Sequence, residues 1–168
     1  MYLEIQPIKT DRLIIRKTSA YDVDLLLKMD CQEITQKYLG GIKHKSREER
    51  ITFLETRDSS YTICLKDGTA IGFVEIKNSA EKGTASLSYI FDHDYWNKGY
   101  CTESCKELID MYFRNKEIRY ICADTISENV GSKRVLEKLG FDLIGSKIKG
   151  ENNFLEYKLV NKHYILRR

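Results

Sequence analysis

The sequence predicts a mixed α+β (α/β) protein in which helices cover the faces of one central sheet. The chain has 168 residues, the length of one domain, and its 42% hydrophobic and 32% charged residues are typical of a soluble globular protein. The spacing of apolar residues changes along the chain from helical to strand-like, and then alternates between the two. The resulting order of elements is βααβββαβαββ, and we expect residues 1–168 to form a single domain.

The first half of the chain carries five predicted elements. Ser19 or Asp22 can cap the first helix, and Ser46 with Glu49 three positions later forms the capping box that opens the second. A turn at residues 66–69 separates two apolar runs of strand length, which indicates a hairpin. The elements are a strand over 12–16, helices over 22–29 and 46–54, and strands over 61–65 and 71–76.

The second half alternates strands with helices. A turn at Gly83 precedes a strand in which small polar residues alternate with large apolar ones, and the next helix has an apolar face that includes Cys105 and Leu108. Gly140 ends a later helix. The elements are strands over 85–91, 119–124, 141–144 and 154–159, and helices over 102–113 and 130–139.

Charge and composition exclude several classes of protein. A net charge of +3 is too small for a strong nucleic-acid footprint, and no apolar run approaches the roughly 20 residues of a membrane helix. Residues 70–76 faintly echo an RNA-binding strand, but Thr69, Ala70 and Ile76 do not fit that motif. The first residues lack the layout of a signal peptide, so we expect a soluble cytoplasmic protein. We interpret the C-terminal basic residues as a solvated edge: Lys158, Lys162, Arg167 and Arg168.

The five cysteines are expected to be reduced thiols, because their odd number and their spacing match no disulfide framework. Cys101 and Cys105 could share a helix face, but further metal ligands are lacking. The histidines His44, His93 and His163 are scattered, and neither CxxC nor HxxxH occurs. We therefore predict no metal site.

Two segments carry residues suited to chemistry. The first is Tyr95-Trp96-Asn97-Lys98-Gly99-Tyr100-Cys101-Thr102-Glu103, a loop that opens a helix. Such a loop presents backbone N–H groups and the positive end of the helix dipole, which suit a pyrophosphate. Gly99 lets the backbone approach a ligand, Lys98 adds a mobile positive charge, and Thr102 can cap the helix. Alone, the segment could equally be a turn glycine before a helix.

The second segment runs from residue 129 to residue 141. Alone, it is an amphipathic helix with Asn129 or Ser132 at its start and Gly140 at its end. In this order and spacing, the two segments together resemble the GNAT superfamily of acyl-CoA-dependent N-acyltransferases. The first looks most like the RimJ/RimL branch, which includes enzymes that acetylate N-termini of ribosomal proteins.

The resemblance covers about residues 9–160 and is supported by residues 10–16 and 71–73. It implies the GNAT fold, a mixed and largely antiparallel sheet of six to seven strands flanked by helices. The sheet would splay between the strand that ends near Phe91 and the strand Tyr120–Ala123, and so admit the pantetheine arm of the substrate.

The resemblance also implies acetyl-CoA as co-substrate, without a metal. Backbone N–H groups near Ile90 and Phe91 would stabilise the oxyanion, and Ser132 would donate a hydrogen bond to the leaving sulfur. The residues expected to bind the cofactor are Ile90, Phe91, Asn97, Lys98, Gly99, Tyr100, Cys101, Thr102, Asn129 and Ser132.

Two positions depart from the family pattern. Leu136 stands where the wider superfamily often has a tyrosine acid, and Ser86 stands where the branch often has a glutamate. Deprotonation of the amine could run through ordered water to Glu75 or Asp92. Each also has a structural interpretation, Glu75 as an exposed strand carboxylate and Asp92 as a turn residue. We predict Ser132 and Glu75 as the catalytic residues.

The acceptor is predicted to be a primary amine, either a protein N-terminus or a small molecule such as an antibiotic or polyamine. The mixed charge of residues 22–54, which would shape the acceptor site, does not choose between them. A catalytically silent acyl-CoA-binding protein is the alternative. We expect neither nucleic acid nor membrane as a partner, and either a monomer or a homodimer.

Overall fold

The computed structural model describes residues 6–115 and 117–162. Its strands are β1 (Ile8–Lys9), β2 (Leu13–Lys17), β3 (Ser60–Leu65), β4 (Ala70–Asn78), β5 (Thr84–Phe91), β6 (Tyr120–Ile126), β7 (Asp142–Lys149) and β8 (Asn152–Val160). Its helices are α1 (Val23–Asp30), α2 (Glu33–Gln36), α3 (Arg47–Glu55), α4 (Tyr100–Phe113) and α5 (Val130–Lys138).

The strands form one sheet in the order β1-β2-β3-β4-β5-β6-β8-β7. β5 and β6 run parallel, whereas β1–β2, β2–β3, β3–β4, β6–β8 and β7–β8 pair antiparallel. The predicted α+β class is therefore confirmed, with one strand more than the six to seven expected. The additional strand is β1, which pairs with Ile14 and Ile15 over two residues and is too short to show a periodic pattern. The single-turn helix α2 was missed for the same reason.

The chain divides into two compact units. The first comprises Met1–Glu75 and Tyr89–Ser104, and the second comprises Ile76–Ser88 and Cys105–Arg168. β4, β5 and α4 each pass from one unit into the other. That residues 1–168 form a single domain stays a prediction.

The first unit has a core formed by α1, α3 and β4. Val23, Leu26 and Met29, spaced three apart on one face of α1, pack with Leu54 of α3 and Phe73 of β4. The predicted capping box opens α3: the Ser46 hydroxyl accepts from the Glu49 amide at 3.1 Å, and the Glu49 carboxylate accepts from the Ser46 amide at 2.7 Å.

The second unit buries the predicted face of α4, including Cys105 and Leu108, both with no exposed surface. Parallel pairing joins Thr84–Ser86 of β5 to Tyr120–Cys122 of β6, and the predicted splay of the sheet stays a prediction. Gly140 ends α5 with φ +84°.

Several expectations concern what the chain lacks. Within residues 6–115 and 117–162, no helix is both long and apolar enough to cross a membrane. The same residues contain no disulfide and no group of His, Cys, Asp and Glu side chains that could hold a metal ion. Of the C-terminal basic residues, Lys158 is half-buried and Lys162 is exposed, whereas Arg167 and Arg168 lie outside the described residues, as does His163.

Candidate active site

Asp92, the residue that follows β5, is a buried carboxylate with 1% of its surface exposed. One carboxylate oxygen pairs with the ammonium of Lys28 on α1. The other accepts from the Gln32 side-chain amide at 2.9 Å and from the Asp94 backbone amide at 3.2 Å. Asp92 thereby ties the chain after β5 to the end of α1.

The surroundings of Asp92 determine its proton affinity. Burial acts to raise the pKa of this carboxyl, but the hydrogen bonds from Lys28, Gln32 and the Asp94 amide outweigh burial and lower the pKa below its usual value. The same contact raises the pKa of Lys28. Both groups are charged at neutral pH, and a carboxylate with a lowered pKa accepts an amine proton poorly. The geometry favours Asp92 as an anchor over Asp92 as a base.

Glu75 lies on β4 opposite Ser60 of β3. Its carboxylate is largely buried rather than exposed, with 13% of the side-chain surface accessible, and Arg57 pairs with it at 2.7 Å. The interpretation of Glu75 as an exposed strand carboxylate was therefore wrong, because its side chain is largely buried and paired with Arg57. Its role as a catalytic base stays a prediction.

The end of β5 packs closely against Gly72 of β4. A Cβ atom at Gly72 would lie 2.6 Å from Cδ1 of Phe91 and 2.8 Å from the carbonyl oxygen of Ile90, so any larger residue there would force β5 to shift. Phe91 is buried and Ile90 is half-buried. The Phe91 carbonyl accepts from the Trp96 indole N–H at 2.8 Å, which fixes where the following loop begins.

The Gly99 loop, residues 96–99, turns sharply before α4. Asn97 has φ +58° and Gly99 has φ +80°, two left-handed residues on either side of Lys98. Left-handed residues of this kind direct backbone N–H groups into anion-binding concavities. The Lys98 ammonium, predicted to be mobile, donates to the Asp94 carbonyl at 2.9 Å.

Helix α4 begins two residues earlier than predicted. The Gly99 carbonyl accepts from the Glu103 amide at 3.0 Å, so Gly99 occupies the capping position. Thr102 lies within the first turn, and its predicted role as the helix cap was wrong. Tyr100 and Cys101, both half-buried, are the first residues of the helix.

Arg12 was not among the predicted site residues, but it contacts the Gly99 loop. Its guanidinium donates to the Glu103 carboxylate in the first turn of α4, at 2.7 Å from Nε, and to the Lys98 carbonyl at 2.8 Å from Nη1. The Thr10 hydroxyl donates to the same carboxylate at 2.6 Å. Burial acts to raise the pKa of Glu103, but these hydrogen bonds lower it below the usual range. Arg12 and Glu103 are 91 positions apart, so no spacing in the sequence signals the contact.

In the second unit, α5 begins as predicted. Asn129 is its N-cap residue, and the side-chain oxygen accepts from the Ser132 amide at 3.1 Å. Ser132 is half-buried, as is Ser86 on β5. Leu136, at the position where a tyrosine acid was considered, is buried at 1% exposure.

The predicted site residues thus divide between the units. The first unit holds Glu75, Ile90, Phe91, Asn97, Lys98, Gly99, Tyr100, Cys101 and Thr102, and the second holds Asn129 and Ser132. Within the first unit, the loop, the first turn of α4 and the end of β5 are joined by the contacts of Arg12 and Trp96. The catalytic and binding roles of these residues stay predictions.

Comparison with known proteins tests the resemblance. The family profile described as "Acetyltransferase (GNAT) domain" matches residues 12–142. The chain is similar to the uncharacterized N-acetyltransferase YnaD of Bacillus subtilis, with 24% identity over 79% of this chain and 81% of that protein.

Solved structures show the same fold. A GNAT-family acetyltransferase from Bacillus anthracis superposes with a TM-score of 0.84 and 23% identity, covering 94% of this chain and 99% of the other. The RimL ribosomal α-N-protein acetyltransferase in complex with coenzyme A superposes with a TM-score of 0.77 and 18% identity, covering 92% and 98%.

The predicted GNAT fold and enzyme class are therefore confirmed, whereas the RimJ/RimL branch stays a prediction. The family match includes the Gly99 loop, the α5 start and nearly all of the sheet through β6. The chain belongs to the GNAT acetyltransferase family and is an acetyl-CoA-dependent N-acetyltransferase.

Proposed function

We propose that this enzyme transfers the acetyl group of acetyl-CoA to a primary α-amine, such as a protein N-terminus, by direct attack on the thioester. Acetyl-CoA supplies the acyl group and the thiolate that leaves. One observation favours an α-amine over other acceptors: both carboxylates predicted to take its proton are held by cations. Glu75 pairs with Arg57, and Asp92 pairs with Lys28.

The proton affinity of the amine supports an α-amine as the acceptor. An α-ammonium group has a pKa of about 7.7–8.0, whereas a lysine-type ammonium has a pKa of about 10.4. The first loses its proton to water near neutral pH, whereas the second needs a strong base to become a nucleophile. A general base is worth on the order of 10²–10⁴-fold in rate, and carboxylates held in ion pairs supply little of it. The similar RimL structure is that of an α-N-protein acetyltransferase, which supports this choice.

The first unit is proposed to hold the cofactor. Gly99 has no side chain, is exposed and adopts a left-handed conformation, all of which suit close approach of a pyrophosphate to the Gly99 loop. Backbone N–H groups of residues 97–102 and the Lys98 ammonium would bind its negative charge. Backbone N–H groups near Ile90 and Phe91 would polarise the thioester carbonyl.

The second unit is proposed to assist departure of the thiolate. Asn129 fixes the first turn of α5, and the Ser132 hydroxyl would donate to the leaving sulfur. A thiol pKa near 8.5 makes thiolate a tolerable leaving group, so this help is useful but not essential. Ser132→Ala should lower kcat on the order of tenfold, the effect of one lost hydrogen bond, while acetyl-CoA still binds. Ser146→Ala is the matched control, because Ser146 is an exposed serine on β7. Full turnover by Ser132→Ala would remove Ser132 from the mechanism.

Cofactor binding is tested by thermal unfolding with acetyl-CoA, with free CoA, and with ATP and NAD as controls. Ligand at about 100 times its dissociation constant adds roughly 2.7 kcal/mol, which raises the midpoint by roughly 5–10 °C. A shift confined to the two CoA compounds supports the assignment. The absence of that shift in folded protein overturns it.

The acceptor is tested by release of free thiol from acetyl-CoA with matched amines. One peptide carries a free N-terminus and no lysine, and a second carries a blocked N-terminus and one lysine. A polyamine and an aminoglycoside complete the series. We expect turnover with the first peptide. Turnover confined to the lysine peptide or to the small amines would overturn the α-amine assignment and leave the acetyltransferase activity in place.

A further inference from the structure

We propose that Arg12 is a positioning residue for acetyl-CoA: it holds the Gly99 loop in the shape that presents its N–H groups to the pyrophosphate. This role rests on the proposed function, because it concerns how the same substrate is held. Arg12 lies between β1 and β2, far in sequence from the loop that it contacts. Its contacts with Glu103, Lys98 and Tyr100 support the role.

The guanidinium joins two elements at once. Nε and Nη2 bind one carboxylate oxygen of Glu103, at 2.7 and 2.6 Å, and Nη1 binds the carbonyl of Lys98 at 2.8 Å. Glu103 belongs to the first turn of α4, and Lys98 belongs to the Gly99 loop. The rigid planar fork of arginine can serve both partners, which the single ammonium of lysine cannot do in the same geometry.

Arg12 is itself held in place from several directions. Its backbone N–H donates to Glu103 at 3.2 Å, and the Thr10 hydroxyl donates to the same oxygen. Its guanidinium carbon lies 4.6 Å from the centre of the Tyr100 ring, within the range of a cation–π contact. The side chain is nevertheless 47% exposed, so it is not part of the hydrophobic core.

The contact with Lys98 orients the peptide that follows it. In a planar trans peptide, the carbonyl of one residue and the N–H of the next point in opposite directions, and the described residues contain no cis peptide. Because Arg12 binds the Lys98 carbonyl, the N–H of Gly99 is directed away from Arg12. The guanidinium also lies 3.3 Å from the place that a Cβ of Gly99 would take, so loop and arginine are in direct apposition.

The test compares two thioester substrates that differ in the pyrophosphate. Acetyl-CoA carries it, whereas S-acetyl-pantetheine lacks it. Arg12→Ala is expected to raise KM for acetyl-CoA roughly tenfold, the weight of one lost charge-assisted hydrogen bond, with kcat changed less than about twofold. KM for S-acetyl-pantetheine should not change. Arg12→Lys, which keeps the charge but not the fork, should fall between wild type and Arg12→Ala.

Arg114→Ala is the matched control, because Arg114 is an exposed arginine just after the other end of α4. It should leave both KM values unchanged. A merely structural role for Arg12 would raise KM or lower kcat equally for both thioesters, and that result overturns the proposal. Unchanged KM for acetyl-CoA in both Arg12 variants overturns it as well.

Failure of the proposed function has a different signature. In that case, the wild-type protein would release no thiol from acetyl-CoA with any of the amines tested. In that event, calorimetric titration of wild type and both Arg12 variants with CoA and with pantetheine decides the role of Arg12. The role is supported if the Arg12 variants bind CoA more weakly than wild type does but bind pantetheine equally well. Equal binding of CoA by all three proteins overturns it.

Discussion

The two helix starts that carry the proposed site are held in different ways. The Gly99 loop before α4 is held by Arg12, a side chain 86 positions away that binds the Lys98 carbonyl. The loop's own Trp96 adds a local contact with the Phe91 carbonyl, five positions before it. The start of α5 is held by its own first turn, where Asn129 caps the Ser132 amide. One region depends on tertiary contacts, and the other is built from local sequence.

This difference has energetic consequences. A local cap contributes about 1 kcal/mol and is lost alone when its residue is replaced. A region held by several distant contacts responds to substitutions far from the substrate, because each partner positions the others. Substitutions of the residues that support the Gly99 region should therefore lower the free energy of unfolding more than equivalent substitutions at the start of α5.

The largest effect is expected from adding a methyl group at Gly72, which packs against the end of β5. That end of β5 supports the Gly99 loop through the bond between the Phe91 carbonyl and Trp96. Gly72→Ala places a Cβ 2.8 Å from the Ile90 carbonyl and 2.6 Å from the buried Phe91 ring, so the backbone of β5 must shift. We expect a loss of about 2–3 kcal/mol, or roughly 5–10 °C in Tm. Chemical denaturation followed by circular dichroism measures the free energy of unfolding, and thermal denaturation measures Tm.

Gly131→Ala is the counterpart in the other region. Gly131 lies in the first turn of α5, where a Cβ would meet its nearest atom, Asn129 Oδ1, at an ordinary 3.7 Å. Alanine should stabilise this helix by about 0.5–1 kcal/mol, because it loses less backbone entropy on folding than glycine does. Equal effects of the two substitutions would contradict the distinction between the regions.

The next effect concerns the anchor at Asp92. Asp92→Asn keeps the size of the side chain but removes the charge that Lys28 and Gln32 stabilise, and we expect a loss of about 2 kcal/mol at pH 7. Asp94→Asn is the control, because Asp94 contacts the same Lys28 at 2.9 Å but is 63% exposed. An exposed pair contributes less than about 1 kcal/mol. Equal losses for the two variants would show that burial of Asp92 is not what matters.

The pH dependence of the Asp92 contribution follows from the direction of its pKa shift. The pKa is lowered in the folded state, so the unfolded chain binds the proton more readily. The contribution is complete above the unfolded value of about 3.9 and is lost as pH falls through the lower folded value. The stability difference between wild type and Asp92→Asn should therefore be constant from pH 5 to 7 and shrink below pH 4. A difference that grows on acidification would refute the assignment.

Local sequence predicted the fold because most of its elements carry their own signals. The capping box at Ser46, the glycine that ends α5 and the cap at Asn129 each rest on residues a few positions apart. β1 was missed because its two residues are ordered by pairing with β2 and not by a pattern of their own.

The site was predicted less completely, for the same physical reason. The segment 95–103 was predicted to bind an anion, but nothing near it in sequence indicates its contact with Arg12. Asp92 was interpreted as a turn residue, and it does cap a short turn, but its carboxylate also binds Lys28 of α1 and Gln32, which follows that helix. Partners separated by 60 or more positions are set by the tertiary fold, which residue spacing does not encode.

The smallest effect is expected at the cap of α5. Asn129→Ala removes the acceptor for the Ser132 amide, which leaves one N–H of the first turn without its side-chain partner. We expect a loss of about 1 kcal/mol in denaturant unfolding. Asn129→Asp keeps the acceptor and adds a negative charge at the helix N-terminus, so it should match wild type within about 0.5 kcal/mol. A loss of 3 kcal/mol or more in Asn129→Ala would mean that this helix start also depends on tertiary contacts, and the contrast with the Gly99 loop would then fail.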